Sequence, residues 1–446
     1  MPSIDPLLFL GLAAVGGIWL VVYIAFSTRR TFNGYRMLSV VLGGAVALGC
    51  FATTGTRLGI SEATLSALSF ATAAVFVAIG IATFVARRPD GSPGQGLLLI
   101  TLLIAVTGWV SLALNGYSIL TYLNPAVSLG ILPALVVITQ RSGATREQIQ
   151  ALVFRCAAGV VYVSLALAVV APSIAFGTTN QDARRLSLGP LTHRLSGVAG
   201  HPNFLAFVAL VVLVISLTTE VRRRAIHIAS ALATLALTEA RNAFLSLAIL
   251  LLVLFIMNGR RRLLRATLVA PVAAVVLILG QEWLQDDTST LTSDVATNGR
   301  FRVWDLVFTY FPERPIYGWG PVAFRESSDS PLLQANLAHA HNQLLEALAE
   351  GGLVGLALML ALTICLAKIA FRHRSHPLYT GTLVILLASY TTQIFLSPHM
   401  WGANIGMVPA LLVLPIFLSA GRDHTSPDQS GRPSDGAHIL AGSPTG

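Results

Sequence analysis

In a chain that is mostly apolar, four short constellations carry residue types able to do chemistry. The one nearest the carboxyl end is His339-Ala-His341-Asn342-Gln-Leu-Leu-Glu346-Ala-Leu-Ala-Glu350-Gly351-Gly352. Asn342 reads as the N-cap of a following helix, which sets His341 at the helix mouth. The positive end of the helix dipole disfavours imidazolium there, so a neutral imidazole is available as a general base near neutral pH. Asn342, Glu346 and Glu350 repeat at i, i+4 and i+8, a polar stripe descending about 12 Å along the helix. Gly351 and Gly352 would let a neighbouring helix pack closely. The plainer alternative is a pair of histidines capping a helix whose glutamates face interfacial water. His-X-His also occurs in metal sites, but no third ligand of the usual kind lies close by in the sequence, so no metal is expected.

The other three constellations centre on arginine. Arg194-Leu-Ser-Gly-Val-Ala-Gly200-His-Pro-Asn203 enters an apolar run, with Pro202-Asn203 as a helix start. A helix N-terminus beside Arg194 makes an anion site; the alternative is a surface loop with an interfacial arginine and a capping Asn203. Glu239-Ala-Arg241-Asn242 is flanked on both sides by apolar helix. An arginine facing lipid costs about 3 kcal/mol at mid-membrane, so Arg241 is expected to face a polar cavity, to pair with Glu239, or to snorkel to the surface. In Arg300-Phe-Arg302-Val-Trp304-Asp305-Leu-Val-Phe308-Thr-Tyr-Phe311 the aromatics recur at helical spacing. That predicts a short helix lying on the membrane surface with Phe301, Trp304, Phe308 and Phe311 in the interfacial belt and Arg300 free to reach a ligand. Between it and the histidines lies a turn, Pro315-Ile-Tyr-Gly318-Trp-Gly320.

The elements that must position these residues are membrane spans. The 446 residues are 54% hydrophobic and 11% charged, with mean hydropathy +0.72, whereas about a quarter of the residues of a soluble domain are charged. The fold class expected is therefore an all-α polytopic membrane protein with about 12–13 transmembrane helices and a large extracytoplasmic loop containing short amphipathic helices. Apolar runs fall at 7–26, 35–54, 63–86, 96–114, 119–139, 151–172, 203–219, 225–239, 242–258, 263–280, 343–371, 378–397 and 402–420. The pair flanking residues 238–242 reads either as two spans joined by a tight hairpin or as one long tilted span plus a re-entrant piece. No cleavable signal peptide is evident, and the first run is expected to remain as a helix.

Alternate loops collect Arg29, Arg30, Arg36, Arg87, Arg88, Arg141, Arg146, Arg222, Arg223, Arg224, Arg260, Arg261, Arg262, Arg265, Arg372 and Arg374, which makes that side cytoplasmic. The net charge of +9 thus reflects cytoplasmic loops and gives no reason to expect nucleic acid. Segments 173–202, 238–242 and 281–342 then share the opposite face, and all four constellations converge there. Cys50, Cys156 and Cys365 sit within apolar runs and read as small hydrophobes. The expected organisation is one bundle over 1–420, with a disordered cytoplasmic tail over 421–446 rich in Ser, Pro, Gly and Asp.

These residues together resemble the O-antigen ligase and O-antigen polymerase superfamily of bacterial membrane glycosyltransferases. The resemblance is carried by Gly299-Arg300 with Trp304, by Pro315-Ile-Tyr-Gly318-Trp-Gly320, by His341-Asn342-Gln-Leu-Leu, and by Glu350-Gly-Gly-Leu-Val-Gly355. Gly200-His-Pro-Asn203 and the Arg241 corner are also similar, so the likeness covers roughly residues 190–360. It implies transfer of a glycan from an undecaprenyl (polyprenyl) diphosphate carrier to a glycan, lipid or protein acceptor. The reaction would run with inversion, without a metal or other cofactor, on the outer face of the bacterial cytoplasmic membrane. By the same resemblance, Arg194 and Arg241 grip the diphosphate and His341 engages the acceptor. Arg300, free at its helix start, is a further diphosphate candidate. For the base that an acceptor hydroxyl or amine needs, His341 is the first choice and Glu346 the second. Trp304, Gly318, Gly320, His339 and Asn342 belong to the loop or lid. A departing lipid diphosphate gathers negative charge, which a metal-free site must meet with fixed guanidinium groups. A polysaccharide polymerase of the same superfamily and, in a different class, a lipid-linked saccharide transporter are the alternatives.

Overall fold

The computed structural model describes residues 34–55, 60–86, 95–117, 123–176, 183–188, 191–257, 300–324, 330–335, 339–373 and 377–390. The chain forms a helical bundle built from α1 (Gly34–Gly55), α2 (Glu62–Ala86), α3 (Gln95–Leu114), α4 (Leu123–Ser128), α5 (Ile131–Arg141) and α6 (Arg146–Val170). These are followed by α7 (Pro202–Thr218), α8 (Arg224–Thr238), α9 (Arg241–Met257), α10 (Arg300–Tyr310), α11 (Gln343–Arg372) and α12 (Pro377–Ser389). Among the described residues, four helices are long and apolar enough to cross a membrane: α2, α3, α6 and α11. The apolar helices α7, α8, α9 and α12 are shorter, and the expected spans over 7–26, 263–280 and 402–420, like the tail 421–446, lie outside the described residues. The protein is an all-α polytopic membrane protein, and its one departure among the described residues is a small hairpin. There Ala183–Leu188 pairs antiparallel with Leu191–His193.

The centre of the bundle is α7. It has no polar face, and a helix apolar all round is stable only when other helices surround it. Fourteen residues from Pro202 to Ser216 are buried, among them Phe207, Leu210 and Leu213. It packs against α6, α8, α9 and α12. The expected span over 119–139 is instead two helices, α4 and α5, separated at Gly130. Pro133 supplies the reason, since it lacks an N–H and is tolerated only in the first turn of α5. The indole of Trp109 on α3 donates to Ala126 O at 2.8 Å and so uses a carbonyl near the broken end. At residues 238–242 the chain makes a tight corner: α8 stops at Thr238, Glu239 takes a left-handed conformation (φ 46°), and α9 starts at Arg241.

Two features of the final third matter for the site. The amphipathic α10 turns Val303 and Val307 inward, and with Trp319, Phe324, Leu332, Ala340 and Leu348 they form a small core of their own. Phe301 and Phe308 face outward, as expected. Trp304 does not join them: it is half-buried, and its indole N–H donates to Ala340 O at 2.9 Å. A buried indole N–H needs a partner, and that requirement outweighs the aromatic periodicity that put Trp304 on the belt.

The second feature is a break in α11. Gly352 has φ 59°, ψ −153°, a region essentially restricted to glycine. In an unbroken helix, Leu353 N–H would donate to Ala349 O and Val354 N–H to Glu350 O. Here the Pro315–Gly320 turn supplies all four partners. Trp319 N donates to Ala349 O (2.8 Å) and Gly320 N to Glu350 O (2.9 Å), while Leu353 N donates to Pro315 O (2.8 Å) and Val354 N to Ile316 O (3.3 Å). Gly352 therefore admits the turn, while Gly351 faces the neighbouring helix expected from sequence, a Cβ there meeting Thr107 Cγ2 of α3 at 3.8 Å. A Cβ on Gly318 would lie 2.6 Å from Gly352 N, and one on Gly352 2.5 Å from Ile316 C.

Candidate active site

The mouth of α11 is built by its own cap. Asn342 Oδ1 accepts from Leu344 N (3.0 Å) and Leu345 N (3.2 Å), which uses two of the helix's open donors. The chain enters through His341 in the left-handed region (φ 53°), with His341 N donating to His339 Nδ1 at 3.1 Å. The two imidazole rings lie 3.8 Å apart. Between them, Ala340 is held from both sides: its N–H donates to Glu346 Oε2 at 2.5 Å and its carbonyl accepts the Trp304 indole. Glu346 is wholly buried and its carboxyl also hydrogen-bonds that of Glu350. Glu346 thus reaches back toward the mouth and braces the histidine loop, while Glu350 carries the polar stripe deeper.

His341 is the group most altered by its surroundings. Burial, the Arg300 guanidinium and the nearby His201 push its pKa down to about 3. Its Nδ1 is buried and, among the described residues, has no hydrogen-bond partner. Arg300 opens α10, and burial alone lowers its own pKa. The structure therefore brings together His341, Arg300 and His201 from three separate elements. The helix-dipole argument foresaw a neutral His341, but the dominant cause is burial, followed by two basic neighbours.

His201 was not singled out as a site residue. It takes the cap position expected of Asn203, its Nδ1 accepting from Asn203 N at 3.1 Å with Pro202 at the first helical position. Its only signal was the His-Pro-Asn spacing before an apolar run. Arg194 is committed to framing this end of the bundle. Its Nε donates to Thr238 O (2.7 Å) and an Nη to Asn203 Oδ1 (3.0 Å), which ties the end of α8 to the start of α7. The backbone of Arg241 opens α9 at the same corner, and its side chain lies outside the described residues. Among the described residues no set of three or more His, Cys, Asp or Glu side chains gathers in a way that could hold a metal ion.

Beside the mouth, a small recess with a cavity volume of about 40 Å³ opens between α3 and α11. Its walls include Ile104, Leu129, Ala347 and Met359, and Thr107 and Glu350 contribute polar groups. The polar groups at this end of the apolar bundle thus lie under an amphipathic helix and next to a largely apolar recess.

Residues 226–360 match the family model described as O-antigen ligase. Over that stretch, 135 of the 446 residues, the chain is similar to the O-antigen ligase family, as the motifs implied. The match runs from α8 through the Arg241 corner, α10, the turn and the mouth into α11. It does not include Arg194, His201 or α3. No match to a curated protein was found.

Proposed function

We propose that this protein transfers a glycan from an undecaprenyl (polyprenyl) diphosphate carrier to an acceptor on the outer face of the bacterial cytoplasmic membrane, in the manner of an O-antigen ligase. The observation that carries the reading is the meeting of Arg300 and His201 with a half-buried, neutral His341 at the mouth of α11. Basic groups beside an uncharged imidazole suit an anionic donor whose charge grows as it departs and an acceptor that must lose a proton.

In this mechanism Arg300, with Arg194 and Arg241 at the opposite rim, holds the diphosphate. The isoprenoid chain enters the recess between α3 and α11. The acceptor hydroxyl or amine attacks the anomeric carbon from the face opposite the diphosphate, which inverts the configuration. The carbon–phosphate oxygen bond breaks, the electron pair leaves with the lipid diphosphate, and His341 takes the acceptor's proton. An imidazole held near pKa 3 is a weak base, and the bound diphosphate supplies the negative charge that raises it. Donor binding therefore comes before proton removal. Glu346 holds the loop in register through Ala340 rather than meeting the acceptor, since its Oε2 already accepts that N–H. No step requires a metal.

Mass spectrometry of the carrier-linked glycan in a strain lacking the protein tests the reading. Full-length chains accumulating on the lipid are expected for a ligase. Unit-length material would move the assignment to a polymerase, and an unchanged carrier-linked pool would remove it. Purified protein that transfers glycan in detergent, where no sides exist to move between, would exclude pure transport.

A further inference from the structure

The seam between the Pro315–Gly320 turn and broken α11 has a third member. Ser111, fully buried near the end of α3, places its Oγ 2.7 Å from Tyr317 O and 3.2 Å from Glu350 O. One hydroxyl thus reaches a carbonyl of the turn and a carbonyl freed by the break. One turn further on, Asn115 Nδ2 donates to Gly318 O (3.2 Å) and to Ser111 O (2.7 Å), and lies 3.2 Å from Ser111 Oγ. Its Oδ1 is buried without a partner, so donors alone hold the amide in place.

We infer that Ser111 of α3 and Asn115, just past its end, are positioning residues for the transfer reaction, setting the histidine loop through the turn and the Glu350–Glu346 pair. The inference rests on the function proposed above. The connection is continuous. Ser111 and Gly320 fix the backbone of Glu350, and the Glu350 carboxyl meets that of Glu346. Glu346 holds the N–H of Ala340, the residue between His339 and His341. On the other side Trp319 and Phe324, just beyond the turn, pack in the same small core as Ala340 and the inner face of α10. A shift of the seam therefore displaces the proposed base and leaves the arginines of the rim where they are. Neither residue falls within 226–360, so the family match assigns them nothing.

The test uses the full chain in detergent with a fluorescent undecaprenyl-diphosphate oligosaccharide as donor and an envelope extract of the deletion strain as acceptor. Ser111→Ala is expected to lower kcat about tenfold while the donor KM stays within about twofold, because misplacement of a reacting group acts on turnover. Ser111→Thr keeps the hydroxyl and should restore most of the rate. Asn115→Asp, which sets an oxygen against Gly318 O, should also lower kcat with little change in KM. Equal rates for the alanine and threonine variants, or a loss confined to KM, would overturn the inference. Hydrogen exchange at the Ala340 amide separates this inference from the reading it rests on. Faster exchange in Ser111→Ala supports the linkage even if wild-type protein transfers nothing, an outcome that would sink the proposed function instead. Unchanged exchange at Ala340 would overturn the linkage whatever the activity.

Discussion

The mouth of α11 and the seam one turn below the Glu350 carboxyl lie on the same helix and follow opposite rules. At the seam every backbone bond lost to the break at Gly352 is replaced by one from the Pro315–Gly320 turn, and Ser111 and Asn115 add side-chain bonds. At the mouth, basic groups sit together, an imidazole is held far from its ordinary pKa, and its Nδ1 is buried without a partner among the described residues. The seam spends its polar groups on structure, whereas the mouth leaves this imidazole nitrogen unspent. Strain at a functional site persists only when the surroundings over-determine it, and here the surroundings are the seam.

Breaking the seam should have the largest effect. Gly352→Ala puts a Cβ 2.5 Å from Ile316 C in a backbone region that alanine avoids, a penalty on the order of 3 kcal/mol. Size-exclusion profiles and thermal unfolding should show a large loss of folded protein, and an unaltered profile would contradict the interlock. Removing chemistry from the mouth should do the reverse. His341→Ala should reduce kcat by about 10²–10⁴-fold with the unfolding temperature nearly unchanged. If that variant kept full turnover and Glu346→Ala lost it, the roles assigned to the two residues would be exchanged.

Arg300→Gln sharpens the electrostatic side of the contrast. Loss of one charge-assisted phosphate contact should raise the donor KM by about 10–100-fold. It also removes one of the two groups that, with burial, lower His341. In wild-type protein the acid limb of kcat/KM due to His341 should lie near pH 3, because the reactive neutral form persists above its pKa and is lost only as pH falls through about 3. In Arg300→Gln that limb should move upward, toward 6.5; a limb that stays in place would exclude Arg300 as a cause. The same depressed value makes a contribution to folding. The unfolded chain binds the proton more readily, so this contribution is fully present above about pH 6.5 and is lost as pH falls toward 3. The smallest effect is expected at the link between lid and mouth. Trp304→Phe removes the indole bond to Ala340 O, worth about 1 kcal/mol, and should lower kcat by a few fold.

Much of the site was legible in the sequence because it obeys local rules. The Asn342 cap, the neutral imidazole behind it and the inward register of Glu346 follow from helix geometry, and each takes its expected place. Trp304 and Gly352 were not, because their roles depend on partners far away in the chain: Ala340 for the indole, Pro315 and Ile316 for the amides beyond Gly352. Periodicity assigns a side chain to a face of its own helix and says nothing of which carbonyl waits across the gap. Arg194 shows the same limit. Its type suggested an anion ligand, and nothing in its own stretch announced the bond to Thr238 O that also makes it a brace between α7 and α8.

The sequence by itself determined that this chain is a helical membrane protein, that its polar chemistry is gathered into a few segments, and which family those segments resemble. Hydropathy, capping and motif spacing are properties of neighbouring residues and survive without coordinates. Only the tertiary structure decided that His201 joins Arg300 at His341, that a turn from the lid completes a broken span, and that α3 locks it there. Those are contacts between segments some 30 to 240 residues apart, set by which unsatisfied backbone groups the folded bundle brings within hydrogen-bond reach.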